Sequence, residues 1–324
     1  MRIAIFAYDD CMHSTIVGLC DVFDVAERLT ERFRILDEPE RFETCVLSWD
    51  GTPAVASNGR SVAVDGSLKN RRAVDILIIP GRMDSHRFRF LPEVSKKLRA
   101  LHAKGVLICS ICAGSCYPAA AGILNGRKAT THWNLIDLFR TQFPAVRWIP
   151  NQLLVDAETV ITAGGVSSWQ ELALHLLARF GSPLLATYCS RFMLIEPGRN
   201  TQAPYQMAMF PKAHRDEAVL ALQEWLETDY TQPITLKVLL RKAGMSERNL
   251  IRRFKKATGY TPMQYLQEQR LFKAKEMLEH SARSFEEITW AVGYGDANTF
   301  RQLFKKRVGM NPGMYRRRFS AAAV

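Results

Sequence analysis

Residues 246–265 read SERNLIRRFKKATGYTPMQY, and residues 296–315 read DANTFRQLFKKRVGMNPGMY. At one offset of fifty, Phe254-Lys255-Lys256, Gly259, Pro262 and Tyr265 return as Phe304-Lys305-Lys306, Gly309, Pro312 and Tyr315, and Leu250 answers to Phe300. Ser246 and Asp296 open the two copies, and both side chains suit a helix N-cap. Leu250 and Phe254 stand four apart, as do Phe300 and Phe304, so each copy is a helix with one apolar face. The opposite face carries Arg248, Asn249, Arg252, Arg253 and Lys256 in the first copy. In the second it carries Asn298, Thr299, Arg301, Gln302 and Lys305. A short apolar helix precedes each: Leu236 to about Ala243 before Gly244, and the run holding Ile288, Ala291 and Val292 before Gly293-Tyr294-Gly295. Each copy therefore reads as a helix-turn-helix. Arg pairs with guanine, Asn and Gln with adenine and Lys with phosphate, so such polar faces suit the major groove.

Between the copies, Pro262 to about His280 reads as one helix with proline in its first turn. Its nineteen residues, at roughly 1.5 Å each, span about 28 Å, near the ~34 Å between successive major-groove faces. One rod thus spaces two reading heads along a duplex.

Residues about 217–319 resemble the AraC/XylS-type DNA-binding domain. The likeness is carried by Ser246-Glu247-Arg248-Asn249-Leu250, Phe254-Lys255-Lys256 with Gly259, Pro262 with Tyr265-Leu266, Arg270-Leu271, Ile288, Val292-Gly293-Tyr294, Phe304-Lys305-Lys306 and Pro312 with Tyr315-Arg316. The charge agrees. The chain carries a net +12, and from Lys212 onward it holds 21 Lys+Arg against 12 Asp+Glu, a net +9, as phosphate neutralisation requires.

A length of 324 residues predicts about two domains. All seven cysteines lie in the first 189 residues, an odd number, and the chain opens directly on an apolar strand. With no signal peptide and no apolar run of membrane-spanning length, the expected compartment is the cytosol, with thiols reduced.

In that first part, Arg2–Ala7, Glu43–Trp49, Ser61–Val64, Asp75–Pro80, Gly105–Ile111 and Thr159–Ala163 read as strands. Helices are expected at about Ser14–Leu29, Pro92–Ala103, from Cys112 to about Gly122, and from Gly165 to about Phe180. This alternation predicts an α/β fold: a mostly parallel, flavodoxin-like sheet with helices on both faces. The turn Ile111-Cys112-Ala113-Gly114-Ser115 has the pattern of a nucleophile elbow, which lifts one side chain above the sheet edge beside a helix N-terminus.

Residues 1 to about 195 resemble the PfpI-like branch of the class I glutamine amidotransferase-like superfamily. The carrying residues are Asp75–Gly81, the elbow at Cys112, Ala121-Gly122-Ile123-Leu124-Asn125-Gly126, Thr130-Thr131-His132-Trp133 and Ala163-Gly164-Gly165. Joined to the second domain, this resembles the GlxA-like transcriptional regulators. In enzymes of the superfamily, the resemblance implies, the elbow cysteine is a nucleophile followed by a histidine, with an acidic residue from the first helix nearby. Here Ala113 follows Cys112, and Thr15 occupies the acidic position. His132 remains, with no group to orient it. The elbow is therefore expected to be a vestigial catalytic site, with Cys112 and His132 its former members, now serving as a binding pocket. Two other readings stay open: a cysteine-dependent amidase or protease tethered to DNA, and a redox sensor at Cys112.

The pocket is expected to involve Cys112, Ala113, His132, Trp133, Gly165 and Trp169. The tryptophans either wall a ligand or pack the core, and their place at the sheet's carboxyl edge favours the ligand. Cys109-x-x-Cys112 has metal or redox spacing, but Cys109 sits in a buried strand and no second pair exists, so neither a metal nor a cofactor is expected. Glu196 to about His214 holds three prolines and no period, which reads as a linker whose Tyr205, Met207, Met209 and Phe210 dock on something. The organisation that follows is a ligand-sensing, dimerising domain over 1–195, a linker over 196–215 and an all-α double helix-turn-helix domain over 216–320. The implied function is a transcription regulator controlled by a small-molecule effector. It would act as a homodimer on two adjacent major-groove segments, with no membrane partner. Base contacts are expected from Arg248, Asn249 and Arg252 and from Asn298, Thr299, Gln302 and Arg301; Lys255, Lys256, Lys305 and Lys306 would face phosphates or solvent.

Overall fold

A computed structural model describes residues 1–33, 41–71, 73–83, 91–208 and 210–320; Met209, expected among the docking residues of the linker, lies outside them. The chain divides into two compact units, Met1–Ala203 and Pro204–Val324.

Seven strands of the first unit join in one sheet among the described residues: β1 Arg2–Phe6, β2 Glu43–Ser48, β3 Gly66–Ser67, β4 Ile76–Ile79, β5 Leu107–Ile111, β6 Leu154–Asp156 and β7 Val160–Ala163. Their spatial order is β6-β7-β5-β4-β1-β2-β3, parallel throughout except that β6 runs antiparallel to β7. All four residues of β4 and all five of β5 are buried, which is why these runs are apolar without alternation. The expected strand at Ser61–Val64 forms only as Ser61–Val62, and it pairs with Ala54–Val55 in a separate hairpin. The helices are α1 His13–Phe33, α2 Pro92–Ala103, α3 Cys116–Ala120, α4 Ile136–Gln142, α5 Trp169–Phe180 and α6 Pro183–Phe192. Helix α1 crosses from β1 in one direction and α2 from β4 in the other, so right-handed crossovers place them on opposite faces. Helices α5 and α6 pack with α1. Helix α6 is absent from the sequence reading, yet its start is marked: Ser182 Oγ accepts from the Leu185 amide at 3.1 Å, and Pro183 fills the first turn.

The reversal of strand order between β1 and β4 makes a topological switch point at their carboxyl ends. Ala7-Tyr8 and Pro80-Gly81 leave the sheet there, with the Tyr8 hydroxyl donating to Pro80 O at 2.6 Å. The elbow follows β5, the next strand over.

The second unit is α7 Glu217–Asp229, α8 Leu236–Ala243, α9 Glu247–Thr258, α10 Pro262–His280, α11 Phe285–Ala291, α12 Ala297–Val308 and α13 Pro312–Phe319. It has two cores. Val219, Leu222, Leu239, Leu250, Phe254 and Tyr265 anchor the first, and Leu271, Leu278, Ile288, Phe300, Phe304 and Tyr315 the second. Helix α10 is unbroken for 19 residues and gives its first turns to one core and its later turns to the other. It starts where a capping box forms: Gln264 N donates to Thr261 Oγ1 at 3.3 Å, and Thr261 N to Gln264 Oε1 at 3.0 Å.

The segment 196–215, expected as a linker, is shared out. Residues up to Ala203 are held in the first unit, where Leu153 N donates to Asn200 O at 3.0 Å and Gln202 N to Asn151 O at 2.9 Å. Phe210 packs its ring on Tyr265 in the second unit, 4.8 Å between centroids.

Candidate nucleic-acid interface and sheet-edge site

In α9, Leu250 and Phe254 are fully buried, and this fixes which residues point outward. Arg248, Arg252, Lys255 and Lys256 are exposed, and Asn249 is half-buried, its Oδ1 accepting from Arg252 Nη2 at 2.9 Å. Arg253, expected on the reading face, is half-buried and held by a neighbouring helix end. Its guanidinium grips Asp216, the N-cap of α7, through Nε at 2.9 Å and Nη2 at 2.6 Å. One residue beyond Arg252 is a rotation of about 100° around the helix, enough to bring Arg253 against a neighbouring helix end. The hydrogen bond from Arg253 holds the Asp216 carboxyl below its usual range.

In α12, Phe300 and Phe304 are buried, and Asn298, Thr299, Gln302, Lys305 and Lys306 are exposed. Thr299 spends its amide on the Asp296 cap, at 2.7 Å from Oδ1. Arg301 is half-buried. It donates to Asn298 Oδ1 at 3.0 Å and to Glu286 Oε1 at 2.6 Å, and its Cζ lies 5.3 Å from the Phe285 ring centre. Both reading helices end on a left-handed glycine, Gly259 at φ +81° and Gly309 at φ +80°.

At the sheet edge, Cys112 has φ +55°, a conformation that costs a non-glycine residue about 1–3 kcal/mol and persists only when its surroundings enforce it. Two glycines help to enforce it. A Cβ on Gly114 would lie 2.3 Å from Pro80 O, and one on Gly81 would lie 2.9 Å from Cys112 Cβ. The Cys112 thiol is buried, and desolvation pushes it up to about 12, against a smaller lowering by the Ala113 amide. The thiolate that a nucleophile needs is therefore disfavoured.

The structure gathers part of the expected pocket. Ala113 is fully buried beside Cys112. Thr131 Oγ1 donates to Cys112 O at 2.8 Å, which ties the loop carrying His132 to the elbow. The pairing of Ile111 with Ala163 sets Cys112 and Gly164-Gly165 at the ends of adjacent strands. His132 Nδ1 accepts from Asn134 N at 3.2 Å, so the ring proton sits on Nε2, and burial lowers its basicity. The two tryptophans stand on different supports. Trp133 has its ring 5.2 Å from that of His132, while the Trp169 ring fills the space above Gly18 on α1. Thr15, in the acidic position, is fully buried, and its hydroxyl has no hydrogen-bond partner among the described residues; the same holds for Ser168 Oγ in the turn after β7.

Sequence reasoning passed over Gln202. This side chain, 2% exposed, comes from the expected linker and donates to Thr131 O at 2.8 Å while accepting from Trp133 N at 3.0 Å. No local pattern marks it, because its partners lie about 70 residues away. Among the described residues, no group of three His, Cys, Asp or Glu is disposed to hold a metal, and no helix is long and apolar enough to cross a membrane.

A strained cysteine elbow on a parallel sheet, followed by two helix-turn-helix motifs on one rod, defines a two-part regulator. Residues 1–179 match the DJ-1/PfpI family and residues 239–318 the helix-turn-helix domain. The chain belongs to the DJ-1/PfpI family, in the branch of transcriptional regulators that carry an AraC-type helix-turn-helix domain. It is similar to the HTH-type transcriptional regulator CdhR of Pseudomonas aeruginosa, 31% identical over 274 residues that cover 84% of this chain and 80% of that one. The regulator GlxA of Rhizobium meliloti is 29% identical over 68% of each. A crystal structure of an AraC family transcriptional regulator from Pseudomonas putida shares the fold of 60% of this chain and 98% of its own, with a TM-score of 0.52 at 19% identity.

Proposed function

We propose that this regulator reads two adjacent major-groove segments of double-stranded DNA, under the control of a small molecule held at the sheet-edge elbow. The observation that carries the first half is the pair of polar faces on α9 and α12, held by the single rod α10. Arg248, Asn249 and Arg252 read bases from α9, and Asn298, Thr299 and Gln302 from α12. Arg253 and Arg301 contribute once their carboxylate partners release them. Selection of duplexes from a random library with the full chain tests this: two conserved blocks about one helical turn apart support it, and a single block overturns it.

The second half rests on the two orphan hydroxyls. Thr15 leads to the elbow through Met12, whose amide donates to Gly81 O, and Gly81 abuts Cys112. A buried hydroxyl without a partner costs about 1–3 kcal/mol, which a ligand's polar groups would recover. The same geometry favours binding over hydrolysis, since burial disfavours the Cys112 thiolate and the Asn134 amide occupies the acceptor nitrogen of His132. The protein acts in the cytosol as a homodimer in this reading; the exposed Phe192 and Leu194 at the end of α6 suit a protein contact, and light scattering decides it. For the effector, thermal melting of the full chain against a metabolite panel is the test. A stabilising compound whose effect is lost in Cys112→Ala supports the reading. A compound that Cys112 cleaves overturns it.

A further inference from the structure

The stretch from Arg199 to Gln206 is anchored twice. In the first unit, Gln152 and Thr201 form an antiparallel bridge, so the stretch pairs as an added edge beside residues 151–153. Arg199 Nε donates to Glu171 Oε1 at 2.5 Å, and both side chains are largely covered, at 19% and 10% exposure. The Gln202 carboxamide then plugs into the sheet-edge turns. Besides Thr131 and Trp133 it reaches Thr130 Oγ1 at 3.2 Å, and it lies so close over Gly164 that a Cβ there would sit 2.7 Å from its Nε2. Its donors and acceptor are engaged with the 130–133 loop, whose Thr131 holds the backbone of Cys112, and with Gln152 O at 3.3 Å.

In the second unit, Lys275 on α10 directs its ammonium at the same stretch. Nζ donates to Gln206 O at 2.6 Å and to Pro204 O at 3.2 Å, and lies 5.3 Å from the Tyr315 ring centre. Tyr205 meets Phe319 edge to face at 5.4 Å. Lys275 sits on the helix that carries both reading heads. A surface lysine would keep its ammonium in water; this one is committed to two main-chain carbonyls, and burial lowers its basicity.

We propose that Arg199–Gln206 is a coupling strap, in which Gln202 positions the chain according to the state of the sheet-edge turns and Lys275 transmits that position to α10. The proposal rests on the reading of the sheet edge as the effector site. In sequence, only Ala203 separates the Gln202 anchor from Pro204, the first residue bonded to Lys275. One residue spans at most about 3.6 Å, and proline fixes its own φ, so the strap has little slack in which a displacement of Gln202 would be lost. A ligand that rearranges 130–133 would shift Gln202 through its hydrogen bonds to that loop, and one that moves Gly164 would shift it by contact. By reciprocity, DNA bound to the reading heads must change the sheet edge by the same factor.

Hydrogen exchange on the full chain tests this without knowledge of the effector. Gln202→Ala is expected to speed exchange at 130–133 and 151–153, and also across 262–280, by about tenfold, within the usual range of coupling between sites. Lys275→Met, which alters no group of the first unit, is expected to speed exchange at 130–133, and Lys275→Arg to restore it. If Gln202→Ala fails to fold, the lysine pair still decides. A duplex selected by the wild-type chain should slow exchange at 130–133 in the wild type and leave it unchanged in Lys275→Met. Changes confined to the mutated unit in both variants would overturn the strap. A flat metabolite panel in the melting experiment would overturn the effector reading alone, since the exchange result needs no effector.

Discussion

At the fifty-residue offset the two helix-turn-helix halves are built alike. Phe254 and Phe304 are fully buried, and Tyr265 and Tyr315 pack edge-on against them at 5.4 and 5.6 Å. Each tyrosine hydroxyl donates to a glutamate of a helix beside it, Tyr265 to Glu227 at 2.6 Å and Tyr315 to Glu279 at 2.5 Å. The halves part company on their outer faces. Among the described residues, Arg252 is exposed and tied only to a neighbour on its own helix, whereas Arg301 is fixed by Asn298, Glu286 and the Phe285 ring. The skeleton is therefore duplicated while the readers differ: the first half offers an adaptable arginine and the second a pre-oriented one that must leave a carboxylate to reach DNA.

The largest effect should come from the shared skeleton. Phe254→Ala and Phe304→Ala each remove a fully buried ring and should cost about 3–5 kcal/mol. Because the two cores are separate clusters joined through α10 and Tyr230, each loss should appear in hydrogen exchange mainly in its own half. Equal loss of protection in both halves from either variant would show one cooperative core and break the comparison at its base.

The arginines come next. Arg252→Ala should lose about 1–3 kcal/mol on a selected duplex and little on random DNA. Arg301→Ala should lose less, because part of what Arg301 gains on DNA is offset by what it gives up to Glu286. Glu286→Gln sharpens the test: with the carboxylate gone, binding should tighten and the Arg301→Ala loss should grow toward that of Arg252→Ala. Asp216→Asn should likewise free Arg253, and steepen the salt dependence by about one phosphate contact. Arg301→Ala losses equal to those of Arg252→Ala in the unaltered background would mean that the carboxylate does not restrain it.

The skeleton was legible because its determinants are local and repeat. Phe254/Phe304, Gly259/Gly309 and Pro262/Pro312 specify core, helix stop and helix start within twenty residues, and α10 and α2 fall on their expected bounds. The parallel sheet was legible because buried strands such as Ile76–Ile79 are uninterrupted apolar runs. The electrostatic assignments were not. Arg253 finds Asp216 thirty-seven residues away, and Gln202 finds Trp133 sixty-nine away. A helical wheel places a side chain on a face, but a long arginine at the boundary of that face takes the carboxylate that the tertiary fold supplies. At the sheet edge, Ala113 and Thr15 stand in the sequence where the resemblance implies a histidine and an acid, while the left-handed backbone of Cys112 and its close approach to Gly81 arise only where the fold brings separate strands together.

The smallest difference between the halves lies at the N-caps. Ser246 and Asp296 occupy equivalent positions, yet only Asp296 makes a side-chain cap, to Thr299 N; Ser246 has extended backbone and no such bond. The hydrogen bonds of Thr299 hold the Asp296 carboxyl below its ordinary 3.8. A carboxyl depressed in the folded state stabilises it above the unfolded pKa, and that contribution is lost as pH falls through the lower folded value. Helix α12 should therefore lose end protection on acidification below about pH 4 in a way that Asp296→Asn, which keeps a neutral cap, does not. Helix α9 should show no matching dependence at Ser246, and Ser246→Ala should change its exchange less than Asp296→Ala changes that of α12. Equal sensitivity of both helix starts would mean that Ser246 forms its cap in solution, and that the halves differ only in how they hold their arginines.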